Sequence, residues 1–203
     1  MAVDEWLLQT TVCPMLRIYG WEKDWGSLGY FGNLGEAKRS FDGVRWVRRW
    51  TGGGTVDHRS DWTYTLVVPV AEEVAKLRGA ESYRLIHQAL VRAVKTGDSI
   101  VRLSNGADQT GDGCCFVNPV EHDLVDGSGR KIAGAGQRRT RLGLLHQGSV
   151  AGQLGGPESI MRAKALAALL AETVQEFTSR PTPDDLAQRV AARYGNPAWT
   201  ERR

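Results

Sequence analysis

Residues 48–58 read RRWTGGGTVDH, with two adjacent arginines, a glycine triplet and a histidine in eleven positions. Residues 44–49 before the triplet have strand character, and residues 62–69 (WTYTLVVP) form a β-branched and aromatic run that predicts a strand. Three successive glycines let the backbone take conformations closed to other residues and bring N–H groups close to an anion or a carbonyl. The loop is not a Walker segment, because no Gly-Lys-Ser/Thr follows, and no Gly-x-Gly-x-x-Gly opens a helix. From this stretch alone two readings stay open: an anion- or acyl-holding loop, and a wide turn whose arginines lie on a solvated face.

Working outward, the periodicities give an α+β chain. A first helix is expected over residues 1–10, strands over 15–21 and 26–31, and a short helix over 34–41. Residues 80–95 place Tyr83, Ile86, His87, Leu90 and Val94 at helical spacing, and Gly97 follows as a stop. A strand at 99–103 precedes a polar, turn-rich loop at 104–113. Strands at 122–126, 131–135 and 141–146 follow, the first two joined by the hairpin signal DGSG at 126–129. An antiparallel meander is the simplest arrangement. Two helices at 157–178 and 183–194, each opening on a proline, end the chain. The expected fold is a mixed, largely antiparallel sheet flanked by helices, as one catalytic domain over residues 1–203 that includes the helices from about 157.

Composition narrows the function. The chain has 203 residues and a net charge of only +3, too small a basic excess to imply nucleic-acid binding, though compatible with an acidic protein partner. Three cysteines, two of them adjacent (Cys114 and Cys115), make no disulfide framework, so reduced thiols and a cytoplasmic setting are expected. No apolar run approaches the roughly 18 to 20 residues that span a bilayer, and the opening MAVDEWLLQT has early acids and no basic n-region, so no secretory leader is expected. The expectation is a protein with no membrane role. The DHRSD segment around His58 lacks a recognised ligand spacing, so no metal site is expected.

The second informative stretch is residues 115–137, CFVNPVEHDLVDGSGRKIAGAGQ. Lys131 is followed by Ala133, Gly134, Ala135 and Gly136, which leave space above the backbone for an amine to polarise an acyl carbonyl or neutralise a phosphate. Cys115, at a predicted loop-to-strand junction, is a competent nucleophile for a thioester if a nearby cation lowers its pKa. The ordinary alternatives are a solvated hairpin lysine and a cysteine packed in a core. His122 is a candidate base for Cys115, His146 a candidate for the border of a pocket, and His87 a structural residue of its helix.

Together these stretches resemble the biotin and lipoate ligase superfamily, in the branch of lipoate-protein ligases and cysteine-dependent octanoyltransferases. The likeness spans nearly the whole chain. Residues 1–8 resemble the family's opening helix, 16–21 its first strand, 48–58 its RRxxGGGxVxH signature and 131–137 (KIAGAGQ) its lysine motif. Residues 145–150 (LHQGSV) are similar to its QHGS-type segment with His and Gln exchanged.

The resemblance implies an acyltransferase of protein lipoylation that moves an octanoyl or lipoyl group, through a thioester on Cys115, to a lysine of a lipoyl carrier domain. It gives Lys131 contact with the acyl carbonyl. Arg49, Gly52, Gly53, Gly54, His58, Gly134 and Ala135 would hold the acyl or adenylate group. The implied partners are an acyl carrier protein and lipoyl domains or a glycine-cleavage H-type protein, with no cofactor. Two alternatives accompany it. One is a ligase that uses ATP and magnesium to form lipoyl-AMP, to whose loop the GGG triplet is closer. The other is a catalytically weak homologue that binds acyl groups or carriers. The CFxxPxxxxL pattern of residues 115–124 resembles the acyl-accepting loop of the transferases and favours that reading.

Overall fold

A computed structural model describes residues 1–106 and 118–202. It has a six-stranded antiparallel sheet, a three-stranded sheet beside it, and helices on both sides. Helix α1 (Ala2–Thr10) leads into β1 (Met15–Tyr19); β2 (Trp25–Leu28), α2 (Leu34–Ser40), β3 (Arg45–Arg48), β4 (Thr55–Asp57) and β5 (Asp61–Pro69) follow. After α3 (Glu73–Lys76) and α4 (Gly79–Val94) come β6 (Val101–Leu103), β7 (Leu124–Asp126), β8 (Lys131–Thr140) and β9 (Gly143–Ala151). The chain closes with α5 (Gly156–Leu170), α6 (Pro183–Arg189), a π-helical turn (Val190–Tyr194) and α7 (Pro197–Glu201).

The large sheet has the order β1-β5-β9-β8-β7-β6, so β7 to β9 form the expected meander and β6 adds to its edge. Its two faces separate by the period-2 alternation of strands. One face carries Trp62, Tyr64, Ala133 and Val150, packed on Ala89 and Leu90 of α4 and Leu166 of α5. On the other face, at one end, Met15, Val67 and Leu145 bury Leu7 and Leu8 of α1. The remainder of that second face is left for the site.

Several boundaries differ from expectation. The glycine loop does not run straight from one large-sheet strand to another. Residues 55–57 first pair with β2 as an extra strand, and β3 pairs parallel with β2, so the loop belongs to the small sheet. Its arginines are not solvated, since Arg48 and Arg49 are both buried. The helix expected to reach residue 178 stops at Leu170, because its last buried residue is Leu166 while Val174 and Phe177 face solvent. A helix face with nothing to pack against has little to hold it. Strands β8 and β9 extend well past the expected 135 and 146, and His122 lies outside β7 with a positive φ of 70°. Cys114 and Cys115 lie outside the described residues.

Candidate active site

Register builds the floor of the site. Gly134 pairs with Ser149, Ser149 with Thr63, and Thr63 with Tyr19. Cross-strand partners share a face, so this row crosses four strands, spanning about 14 Å at roughly 4.8 Å per strand. Small and hydroxylated residues occupy most of it. The small sheet supplies the opposite wall with Ser27, Arg49, Val56 and His58. The cleft between them has a cavity volume of about 110 Å³ and opens to solvent.

Lys131 enters this cleft because of a β-bulge. Between β7 and β8 the register shifts, with Leu124 opposite Ala133 but Val125 opposite Lys131, so β8 holds one extra residue. Simple alternation would put Lys131 and Gly134 on opposite faces. The bulge re-aims the lysine onto the cleft side, while Ile132 and Ala133 pack into the core beneath α4. The Lys131 amine then lies 2.7 Å from Oδ2 of Asp123, a carboxylate with no exposed surface. A Cβ at Gly134 would stand 2.7 Å from that amine and 2.6 Å from Cε, so only glycine leaves the lysine its place.

Asp123 is held from three sides. Besides Lys131 it accepts the Val120 N–H at 2.9 Å and the Tyr83 hydroxyl at 2.5 Å. Burial, followed by the Asp123 charge, pushes the Tyr83 pKa well above its usual value, so the phenol stays protonated as a donor. The same oxygen accepts the Ala135 N–H at 2.9 Å. The cause is topological. Strand β7 leaves β8 at Ala133, and beyond that point the β8 edge needs other partners. Tyr83 of α4 serves Ala135, and the Gly52 N–H serves the Gln137 carbonyl at 3.3 Å. The lysine centre and the glycine loop therefore meet where one strand loses its neighbour.

The glycine loop is wedged between β2 and β8. A Cβ on Gly136 would come within 2.2 Å of the Gly52 carbonyl oxygen, and one on Gly29 within 1.8 Å of that of Gly53. Gly53 itself has φ +87°, the left-handed region open to glycine. Arg49 donates to Ser27 and to the carbonyls of Gly52 (3.1 Å) and Gly54 (2.7 Å). Arg48 points the other way, giving its protons to the carbonyls of Gly29, Tyr30, Gly32, Trp199, Thr200 and Arg202. It ties the C-terminal helix to the base of the loop. His58 bonds Ser27 Oγ and Asp61 Oδ2, both at 2.7 Å, and stacks on Trp21.

Of the residues singled out from sequence, Arg49, Gly53, Gly54, His58, Lys131, Gly134 and Ala135 line one cleft. Gly52 braces it through Gln137. Cys115 lies outside the described residues, but Asn118, three positions on, lines the same cleft. His146 is not at a pocket border: it is fully buried in mid-strand, bonded to Tyr64 and Gln137. His87 has its expected structural part, bonding the His122 carbonyl at 2.7 Å. Sequence reasoning missed Asp123 and Tyr83. Asp123 stood unremarked eight positions before Lys131, and Tyr83 had been absorbed into the apolar face of a helix.

The chain belongs to the lipoyl protein ligase A/B catalytic domain family, whose model matches residues 1–191. Among curated proteins it is similar to octanoyltransferase LipM of Staphylococcus epidermidis, 34% identical over 166 residues, covering 74% of this chain and 60% of that protein. With octanoyltransferase LipM of Oceanobacillus iheyensis it shares 31% identity over 160 residues, covering 74% and 58%. The chain thus spans about three fifths of the length of these curated relatives. Among solved structures it resembles Ta0514 of T. acidophilum, named as a lipoate protein ligase and solved with bound lipoic acid. That match has a TM-score of 0.75 at 18% identity, covering 98% of this chain and 91% of that one. It also resembles the bipartite lipoate protein ligase of Thermoplasma acidophilum, described with its E2 lipoyl domain, at a TM-score of 0.72 and 17% identity, covering 98% and 89%. At these identities the structures establish the fold.

Proposed function

We propose that the protein is an acyltransferase of protein lipoylation, which takes an octanoyl or lipoyl group from a carrier thioester onto Cys115 and passes it to a lysine of a lipoyl domain. The observation that carries this reading is the Lys131–Asp123 pair above Gly134, in a cleft with a hydroxyl-lined floor and the flank of the Cys115 loop at its edge. The octanoyltransferase names of the sequence relatives support it. In the first step the Cys115 thiolate attacks the acyl carbonyl carbon, the bond from carbon to the donor sulfur breaks, and the donor leaves as a thiol after taking a proton. In the second, the unprotonated carrier amine attacks the same carbon, an amide forms, Cys115 leaves as a thiolate and the amine nitrogen releases its proton. Both steps develop negative charge on the carbonyl oxygen, which the Lys131 ammonium and the N–H groups of the glycine loop stabilise. Exchange between thioesters is nearly balanced and amide formation is downhill, so no cofactor is needed.

On this reading residues 1–203 act as one catalytic domain, with acyl carrier protein as donor and lipoyl domains or a glycine-cleavage H-type protein as acceptors. The lipoyl domain described with the Thermoplasma neighbour supports the acceptor class. No helix among the described residues is long and apolar enough to cross a membrane. A cytoplasmic setting suits a thiol nucleophile. The second reading, an ATP- and magnesium-dependent ligase, is favoured by the GGG triplet. The separating experiment supplies octanoyl-carrier thioester and a lipoyl domain without ATP and weighs the domain by mass spectrometry. Gain of one octanoyl group supports transfer; gain only from free lipoate with ATP supports ligation. Binding of the domain with no gain under either condition leaves the non-catalytic homologue.

A further inference from the structure

The contacts around His58 have a direction that the acyl-binding role implied by its motif does not require. Asp61 is almost wholly buried, and its Oδ2 faces His58 Nδ1 at 2.7 Å, Thr63 Oγ1 at 3.1 Å and Ser149 Oγ at 2.5 Å. A carboxylate only accepts, so Nδ1 carries the proton. Burial holds the His58 pKa below its usual value; Asp61 raises it again in part, and Arg49 opposes Asp61 while Asp57 assists it. The ring is therefore neutral near pH 7, which makes Nε2 an acceptor. Ser27 Oγ, 2.7 Å away, must give it its hydrogen. That leaves the Ser27 lone pairs for Arg49 Nη1, which donates at 2.8 Å, while Arg49 Nη2 donates to Gly52 and Gly54.

We infer that His58 is a positioning residue, the centre of a one-way hydrogen-bond relay Asp61–His58–Ser27–Arg49 that fixes the guanidinium against the glycine-loop carbonyls and so sets the loop's shape at the cleft. This rests on the proposed function in giving the loop a role in acyl transfer. The relay links the two sheets: Asp61, Thr63 and Ser149 belong to the large one, and Ser27 with the loop to the small one. Ser27 has no exposed surface, so it serves as a relay element and not as a nucleophile. Reversing any link leaves either two donors or two acceptors face to face in a buried site, where an unmade bond is costly.

The test combines one spectroscopic and one kinetic measurement on the full chain. With only four histidines, the ring nitrogens are assignable by ¹⁵N NMR using His58→Asn. His58 is expected as the neutral Nδ1–H form at pH 7, with Nε2 shifted in Ser27→Ala as its donor is lost. A cationic ring or the Nε2–H form would overturn the relay. In the transfer assay Ser27→Ala and His58→Asn should each lower kcat about tenfold, and the double variant no further than the worse single, since both break one chain. His58→Gln, whose amide oxygen reaches the Nε2 position while Asp61 loses its donor, keeps the Ser27–Arg49 end of the relay and should recover part of what Asn loses. Multiplying effects in the double variant, or equal loss with Gln and Asn, would refute the relay; thermal melts show that each variant is folded. If the wild type transfers no acyl group, the proposed function fails while the NMR result still decides the relay.

Discussion

The Lys131 amine lies 2.7 Å from the Asp123 carboxylate, and no Cβ lies beneath it, because residue 134 is glycine. The bulge turns the lysine into the cleft, and the fully buried carboxylate holds it there with its positive charge facing the space where an acyl carbonyl would sit. Removing one partner of such a pair costs more than the pair itself contributes, because the other charge is left buried. Asp123→Ala strips both Lys131 and Tyr83 of their acceptor. It should lower stability by about 3 kcal/mol or more and abolish transfer. Urea denaturation and the transfer assay check this, and a variant of unchanged stability would contradict the buried pairing.

Gly134→Ala separates activity from folding. The atoms nearest the added methyl are the far end of the Lys131 side chain, at 2.6 and 2.7 Å, and one Asp123 oxygen at 3.0 Å, and the end of a flexible side chain moves away cheaply. The lysine can pivot and keep its pairing with Asp123, so stability should fall by only about 1 kcal/mol, the low end for an added methyl, while kcat falls at least tenfold as the amine shifts within the cleft. Gly148→Ala is the contrasting case: its Cβ would lie 2.3 Å from the buried Tyr64 ring. That overpacking should cost about 1–3 kcal/mol or more, so the two melting curves should differ clearly.

Arg48→Met tests the link to the C-terminal helix. It removes the guanidinium from six carbonyls, three of them in residues 199–202. A loss of several kcal/mol is expected, at about 1–3 for each buried group left unpaired. Limited proteolysis should cut residues 183–202 free earlier than in wild type. An unchanged digestion pattern would show that Arg48 does not pin this segment.

Acid should weaken the fold through its buried histidines. Burial lowers the His87 pKa to about 4, and His58 and His146 shift in the same direction for the same reason. The unfolded chain takes up these protons below its histidine pKa near 6.5, while the folded chain refuses them. Stability is therefore complete above about pH 6.5 and falls as pH drops toward 4, His87 alone accounting for about 2 kcal/mol by pH 5. Asp4, whose pKa is lowered from 3.8, acts only at more acid pH. Urea midpoints at pH 7.5 and 5 check the sign, and His87→Phe should flatten the difference.

Much of the fold was legible because residue type, periodicity and turn chemistry are local. The β-branched and aromatic run of 62–69, the helical face of 80–95 and the DGSG hairpin each declared their element, and the family resemblance put the glycine loop and Lys131 in one site. Asp123 and Tyr83 were not legible, because their roles depend on where β7 stops pairing with β8, a tertiary event with no local mark. The burial of Arg48 was equally hidden: its partners are backbone carbonyls, three of them more than 150 positions away, and carbonyls leave no signature in sequence. The early end of α5 depended on the absence of a packing partner, which the composition of residues 171–178 does not reveal.

The account turns on whether acyl groups pass through Cys115. The direct measurement is the intact mass of the protein after brief incubation with octanoyl-carrier thioester, without ATP and without acceptor domain. One octanoyl group should appear, be removed by hydroxylamine, and be absent from Cys115→Ser while that variant keeps its fold. A wild-type protein that acquires no such adduct, yet supports lipoate-dependent ATP–pyrophosphate exchange undiminished in Cys115→Ser, would contradict it.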